Sequence, residues 1–170
     1  MGPQFNVFSK LKKLEMSEVK LFDDGTPEEN NVASFYSNPE FPAHITGLDS
    51  NLFYRCTGKK MKFGAANYKE YAEFKNHLAI MTGYQSAEEI FKKAGPAFFS
   101  ELINFSDSEG TIGPVICKKL YNDFKDNYDV ADMYFKTIEN KEDNRKFWIH
   151  YQNWCKALFV ARHNGAILIT

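Results

Sequence analysis

Phe105-Ser106-Asp107-Ser108-Glu109-Gly110-Thr111-Ile112-Gly113-Pro114 is a polar, acidic stretch punctuated by glycine and closed by proline. Its reading decides the fold. Taken as a loop, it joins two segments of helical spacing, and the chain becomes a mainly α helical bundle. Working upstream, Gly95-Pro96 breaks the chain and sets Pro96 at the first position of a helix over 97–104. Ser86-Ala87-Glu88-Glu89 is a capping-box pattern that opens a short helix through Ala94. Before it, Asn67 caps a helix over 66–82 with Tyr71, Phe74, Leu78 and Met81 at helical spacing and Gly83 as its stop.

Downstream, Gly113-Pro114 starts a long helix with Ile116, Leu120 and Phe124 on one face, continuing through Val130, Tyr134 and Ile138 with a kink near Asn127. A last helix over 144–163 carries Phe147, Trp148, Tyr151, Trp154, Leu158 and Phe159, apolar over more than half its circumference, and belongs at the bundle's centre. Ala166-Ile167-Leu168-Ile169 is a short apolar run. Paired with Leu52–Cys56, it makes a small two-stranded β accessory.

The first 63 residues read as an extension packed with the helical core of residues 64–170 in one globular unit. Phe5, Phe8, Leu11 and Leu14 recur at i, i+3 among Lys10, Lys12 and Lys13, which predicts a short amphipathic helix within 5–22. Residues 23–51 read as loop, because Asp23-Asp24-Gly25-Thr26-Pro27 is turn chemistry and Pro39 and Pro42 forbid a continuous helix.

Composition excludes several function classes. The chain has 21 Lys+Arg against 22 Asp+Glu, so no global field draws in nucleic acid or an anionic membrane. Only Arg55, Arg145 and Arg162 are arginine, which weakens bidentate recognition of phosphate or bases further. Cys56, Cys117 and Cys155 are odd in number, widely spaced and without Cys/His pairing, so neither a disulfide framework nor a zinc site is expected, and the sequence leaves the cofactor unknown. No apolar run approaches a membrane span, and the expected location is cytoplasmic. With 16 Phe, 9 Tyr and 2 Trp, the core can be built from few large pieces.

The candidate site is the 105–114 loop. Asp107 and Glu109, with Ser106 and Thr111 beside them, offer carboxylates, hydroxyls and open N–H groups next to a helix start. The spacing is not that of an EF-hand, and Ser106-x-x-Glu109 is also a capping box in its own right. Tyr68, Tyr71 and Lys75 fall at i, i+3 and i+7, a face suited to a small anionic or nucleotide-like ligand. Cys117 and Cys155 lack an activating neighbour, so neither reads as a nucleophile. His150 or His163 could pair with Asp107 or Glu109 as an acid–base couple.

The 105–114 block, followed by Lys119-Leu120 and Asp123-Phe124, resembles a pattern in a family of uncharacterised bacterial and phage proteins. There a Tyr-rich helix containing Trp-Arg precedes a Phe-Ser-Asp-x-Glu-Gly-x-Ile-Gly block, and a Trp-containing helix with a glycine and an apolar tail follows. Tyr68–Ala79, Trp154–Phe159 and Gly165–Ile169 are similar in order and spacing, so the resemblance spans about 64–170. Phe74-Lys75 stands where the family has Trp-Arg, which replaces a guanidinium fork by a point charge. The family has no assigned activity. The resemblance implies element order and phage or mobile-element kinship, and puts a site at 105–114 level with the cap-and-turn reading. The function expected is that of a cytoplasmic small-ligand- or partner-binding protein with its pocket at that loop. The alternatives are a hydrolase using Asp107 and Glu109 with a divalent metal, and a protein–protein module contacting its partner through 23–51.

Overall fold

The computed structural model describes every residue except Ala94. Among the described residues seven strands and six α-helices follow one another: β1 (Gln4–Phe8), β2 (Leu11–Lys13), β3 (Val32–Ser34), β4 (Phe53–Cys56), β5 (Lys60–Gly64), α1 (Tyr68–Met81), α2 (Ala87–Lys92), α3 (Ser100–Ile103), β6 (Gly110–Ile112), α4 (Pro114–Asp126), α5 (Tyr128–Phe135), α6 (Lys141–Ala161) and β7 (Ala166–Ile169). A four-stranded antiparallel sheet runs β5-β1-β7-β6, and a three-stranded antiparallel sheet runs β2-β4-β3. The architecture is α+β. This corrects the expected mainly α helical bundle, and two sheets replace the two-stranded accessory.

The corrections have local causes. The i, i+3 series Phe5, Phe8, Leu11, Leu14 is not a helix face. Phe5 and Val7 alternate with Asn6 along β1, and the chain then turns at Lys10, whose φ of 51° is left-handed, to enter β2. The 105–114 stretch is not all loop either: Gly110–Ile112 is a strand on the sheet's edge, paired Gly110↔Ile169 to Ile112↔Ile167. β4 and β7 do form, but in different sheets. β7 lies between β1 and β6, whereas β4 pairs with β2 and β3. The helix expected from Ser86 is α2, and its expected end at Ala94 lies outside the described residues.

The four-stranded sheet is covered on both faces. Phe5 and Val7 of β1 and Ile167 and Ile169 of β7 face the helices, in a cluster with Tyr71, Leu78, Phe124 and Trp154. Phe8 and Ala166 face the other way, into a smaller cluster with Leu11, Phe35, Tyr54 and Cys56 from the second sheet and its loops. Because β1 is an interior strand, its Phe5 and Val7 belong to the main core and Phe8 to the second cluster.

α6 lies against the main sheet through a buried stripe, Phe147, His150, Tyr151, Trp154, Ala157, Leu158 and Ala161. Trp154 sits at its middle, 4.9 Å from the Phe5 ring and 5.2 Å from Phe63, both on the sheet. Where α6 turns into β7 the backbones nearly touch. A Cβ on Gly165 would stand 2.3 Å from Phe8 O and 2.6 Å from the Ala161 backbone, so only glycine fits.

Candidate functional site

α1 begins at Asn67, whose side chain accepts the Glu70 N–H at 2.8 Å. Its buried face reads Tyr71, Phe74, Lys75, Leu78, Ala79, so a lysine lies within an apolar stripe. Lys75 is 7% exposed. Its ammonium donates to Phe105 O at 3.2 Å, pairs with the Asp107 carboxylate, and lies 5.3 Å from the centre of the Tyr71 ring. Burial is the main cause that pushes the Tyr71 hydroxyl well above its usual range, with the Asp107 charge adding to it.

The structure therefore brings together three of the residues singled out in the sequence: Tyr71, Lys75 and Asp107. It does not bring the others to them. Tyr68 points outward and is half exposed. Ser106 Oγ accepts the Ser108 and Glu109 N–H groups at 3.3 Å each, a turn bond. Glu109 is exposed, and its carbonyl accepts from Asn38 Nδ2 at 3.0 Å. Thr111 is buried in β6 with its hydroxyl unpartnered. Gly110 has φ of 129°, and a Cβ there would meet Phe105 Cζ at 2.8 Å. The segment is folded down onto Lys75 and the sheet.

A second polar seam joins α1 to α6. His150 Nε2 lies 2.8 Å from Glu70 Oε1, while the buried Nδ1 has no partner. His77 Nδ1 is 2.7 Å from the Tyr134 hydroxyl. Burial alone would raise the Glu70 carboxyl, but the His150 hydrogen bond, the Ala66 N–H and the nearby cations outweigh it and hold the group low. The recess between these residues measures about 10 Å³, room for one water. Among the described residues no group of three or more His, Cys, Asp or Glu could hold a metal ion.

An open recess lies between the end of α1, the 96–98 segment and α4. Thr82 and Tyr84, after α1, form one wall; Pro96, Ala97 and Phe98 form a second; Lys119 and Asp123 on α4 form the floor. Its volume is about 420 Å³. A neighbouring cavity of about 200 Å³ shares Tyr84, Pro96 and Ala97 and adds Ile90 and Lys93. Lys119 Nζ donates to Ala97 O at 3.0 Å, Glu101 Oε2 at 2.5 Å and Asp123 Oδ2 at 2.6 Å. The same Asp123 oxygen accepts the Phe99 N–H at 3.0 Å. That bond holds Phe99 in a left-handed conformation, φ 62°, uncommon for a residue with a Cβ.

Asp123 is 6% exposed. Burial raises its carboxyl above the usual range, against the opposing pull of Lys119 and the Phe99 N–H. Phe98 stands at the mouth of the cleft, 48% exposed. The lip, aromatic wall and charged floor are the mix expected of a small-molecule site.

None of these cleft residues was singled out in the sequence as a site, although Lys119 and Asp123 lie in the stretch that carries the family resemblance. The legible signal was the i, i+4 pair on one helix face. The thiols are poor nucleophiles: burial pushes Cys117 far up and Cys155 up to about 12. No helix among the described residues is long and apolar enough to cross a membrane. Compared with protein-family models, curated proteins and solved structures, the chain matches none.

Proposed function

We propose that this protein binds a small organic molecule in the cleft bounded by Thr82–Tyr84, Pro96–Phe98 and α4, and that it does so in the cytoplasm. One observation carries the reading. An aromatic-walled recess of about 420 Å³, which shares Tyr84, Pro96 and Ala97 with a neighbouring one of about 200 Å³, has a buried carboxylate in its lining. Ligand sites of this size, mostly apolar with a few fixed polar groups, are the common kind. The 105–112 segment instead serves as a latch, because the buried cation it meets, Lys75 of α1, is already paired with its Asp107. The free thiols of Cys56, Cys117 and Cys155 support a reducing compartment.

The test is a ligand-observed NMR screen of a charge-balanced fragment set against wild type and Ala97→Trp. Ala97 lines both cavities, so an indole there intrudes on the space they offer a ligand. The reading predicts fragments that bind wild type and lose their signal with the filled variant. The same binders in both proteins, or none in either, would overturn it.

A further inference from the structure

The donors and acceptors of the cleft floor name the ligand's chemistry, given the binding reading above, on which this inference rests. A lysine ammonium has three N–H donors. Those of Lys119 are matched by three acceptors: Ala97 O, Glu101 Oε2 and Asp123 Oδ2. No donor remains to receive an anion. The acceptors, by contrast, are in surplus. Two carboxylates face one ammonium, and Asp123 Oδ2 takes both the Lys119 and the Phe99 hydrogens. The other Asp123 oxygen, Oδ1, has no hydrogen-bond partner among the described residues, on a side chain that is 91% buried yet lines the cleft.

The remaining lining is Thr82, Tyr84, Pro96, Ala97 and Phe98, mostly apolar. Tyr84, Pro96 and Phe98 present ring surfaces, and Tyr84 already carries the Lys93 ammonium 5.1 Å from its ring centre at the smaller cavity. Lys93 disfavours a second cation at that end, whereas at the other end the Lys119 ammonium is outnumbered by the carboxylates of Glu101 and Asp123, so a cationic head belongs beside Asp123 with its flat body running toward Pro96 and Ala97. We propose that the cleft recognises a planar apolar molecule bearing a cationic nitrogen head, an amidine, guanidine or protonated amine, that donates to the free oxygen of Asp123. A charge-assisted bond of this kind is roughly twice as strong as its neutral counterpart. Aromatic walls add attraction for a cation.

Three probes of nearly one shape separate the possibilities: benzamidine, benzamide and benzoate are planar and differ in head-group charge. Dissociation constants would be measured by protein-observed NMR on the full chain and on Asp123→Asn. The asparagine keeps an acceptor for the Phe99 N–H, and its folding is checked by the dispersion of the same spectrum. The expected result is benzamidine binding about tenfold or more tighter than benzamide, no saturable binding of benzoate, and benzamidine falling to the level of benzamide in Asp123→Asn. Benzoate or benzamide binding in the cleft as tightly as benzamidine would overturn the ligand class while leaving the cleft as a binding site. Should Asp123→Asn fail to fold, the ranking of the three probes on wild type still decides. No cleft binding by any of the three, together with a fragment screen empty at the cleft, would overturn the binding reading itself.

Discussion

Removing Asp107 should cost the protein more than removing the lysine it pairs with. Lys75 is 7% exposed, and its ammonium has two polar partners, the Asp107 carboxylate and Phe105 O. Asp107→Ala leaves a buried cation with one carbonyl, and stranding one member of a buried pair costs about 3–5 kcal/mol. Here the Asp107 side chain is 34% exposed, so water screens the pair and can enter after the truncation. The expected loss is therefore about 2–4 kcal/mol.

Lys75→Met behaves differently. Methionine fills the space of the lysine stem inside the apolar stripe, Asp107 turns to water, and the chief loss is the hydrogen bond to Phe105 O, about 1–2 kcal/mol. The double variant should resemble Lys75→Met, so the second substitution stabilises the first. Urea denaturation followed by far-UV circular dichroism measures all three. With an m-value of about 2 kcal/mol/M, Asp107→Ala should lower the midpoint by roughly 1–2 M. A midpoint unchanged by Asp107→Ala, or a double variant weaker than Asp107→Ala, would refute the reasoning.

Three further expectations follow from the packing. Gly165→Ala forces a methyl into Phe8 O and the Ala161 backbone and should cost at least about 1–3 kcal/mol, read as a lower melting temperature; an unchanged melt would mean the α6–β7 junction is looser than described. Asn67→Ala removes the cap of α1 and should cost about 0.5–2 kcal/mol in urea, whereas Asn67→Ser should recover most of it. Burial holds the His44 and His77 imidazoles below their ordinary value of 6.5, so the fold prefers them neutral. Their stabilisation is complete above pH 6.5 and is lost as pH falls through their folded values. Calorimetry should show a melting temperature that declines on that side, a decline made shallower by His44→Gln with His77→Gln; an identical slope in the variant would discount the two rings.

The helices from α1 onward were legible because their signals are local. Asn67, Ser86 and Pro114 mark starts by capping or fixed φ, and the Phe147–Leu158 stripe repeats at the helical period. The main sheet was not legible for the opposite reason. β1 pairs with strands some 55 and 160 positions away, and those partners alone make Gln4–Phe8 a strand. Over so short a run, Phe5, Phe8 and Leu11 satisfy a helical spacing as readily as the alternation of Phe5 and Val7 satisfies a strand. β5 carries a clearer signal, the strict alternation of Lys60-Met61-Lys62-Phe63. At the 105–114 stretch, Asp107 was found by its chemistry. Its partner lies 32 residues away, and only the fold could show that the pair closes on itself.

The proposed binding site is the cleft and not the 105–112 latch. Amide chemical-shift mapping of the labelled full chain during a benzamidine titration tests it most directly. The account predicts saturable shifts centred on Thr82, Tyr84, Ala97, Phe98, Lys119 and Asp123. Shifts centred instead on Tyr71, Lys75, Ser106 and Asp107 would contradict it, and would return the site to the acidic stretch.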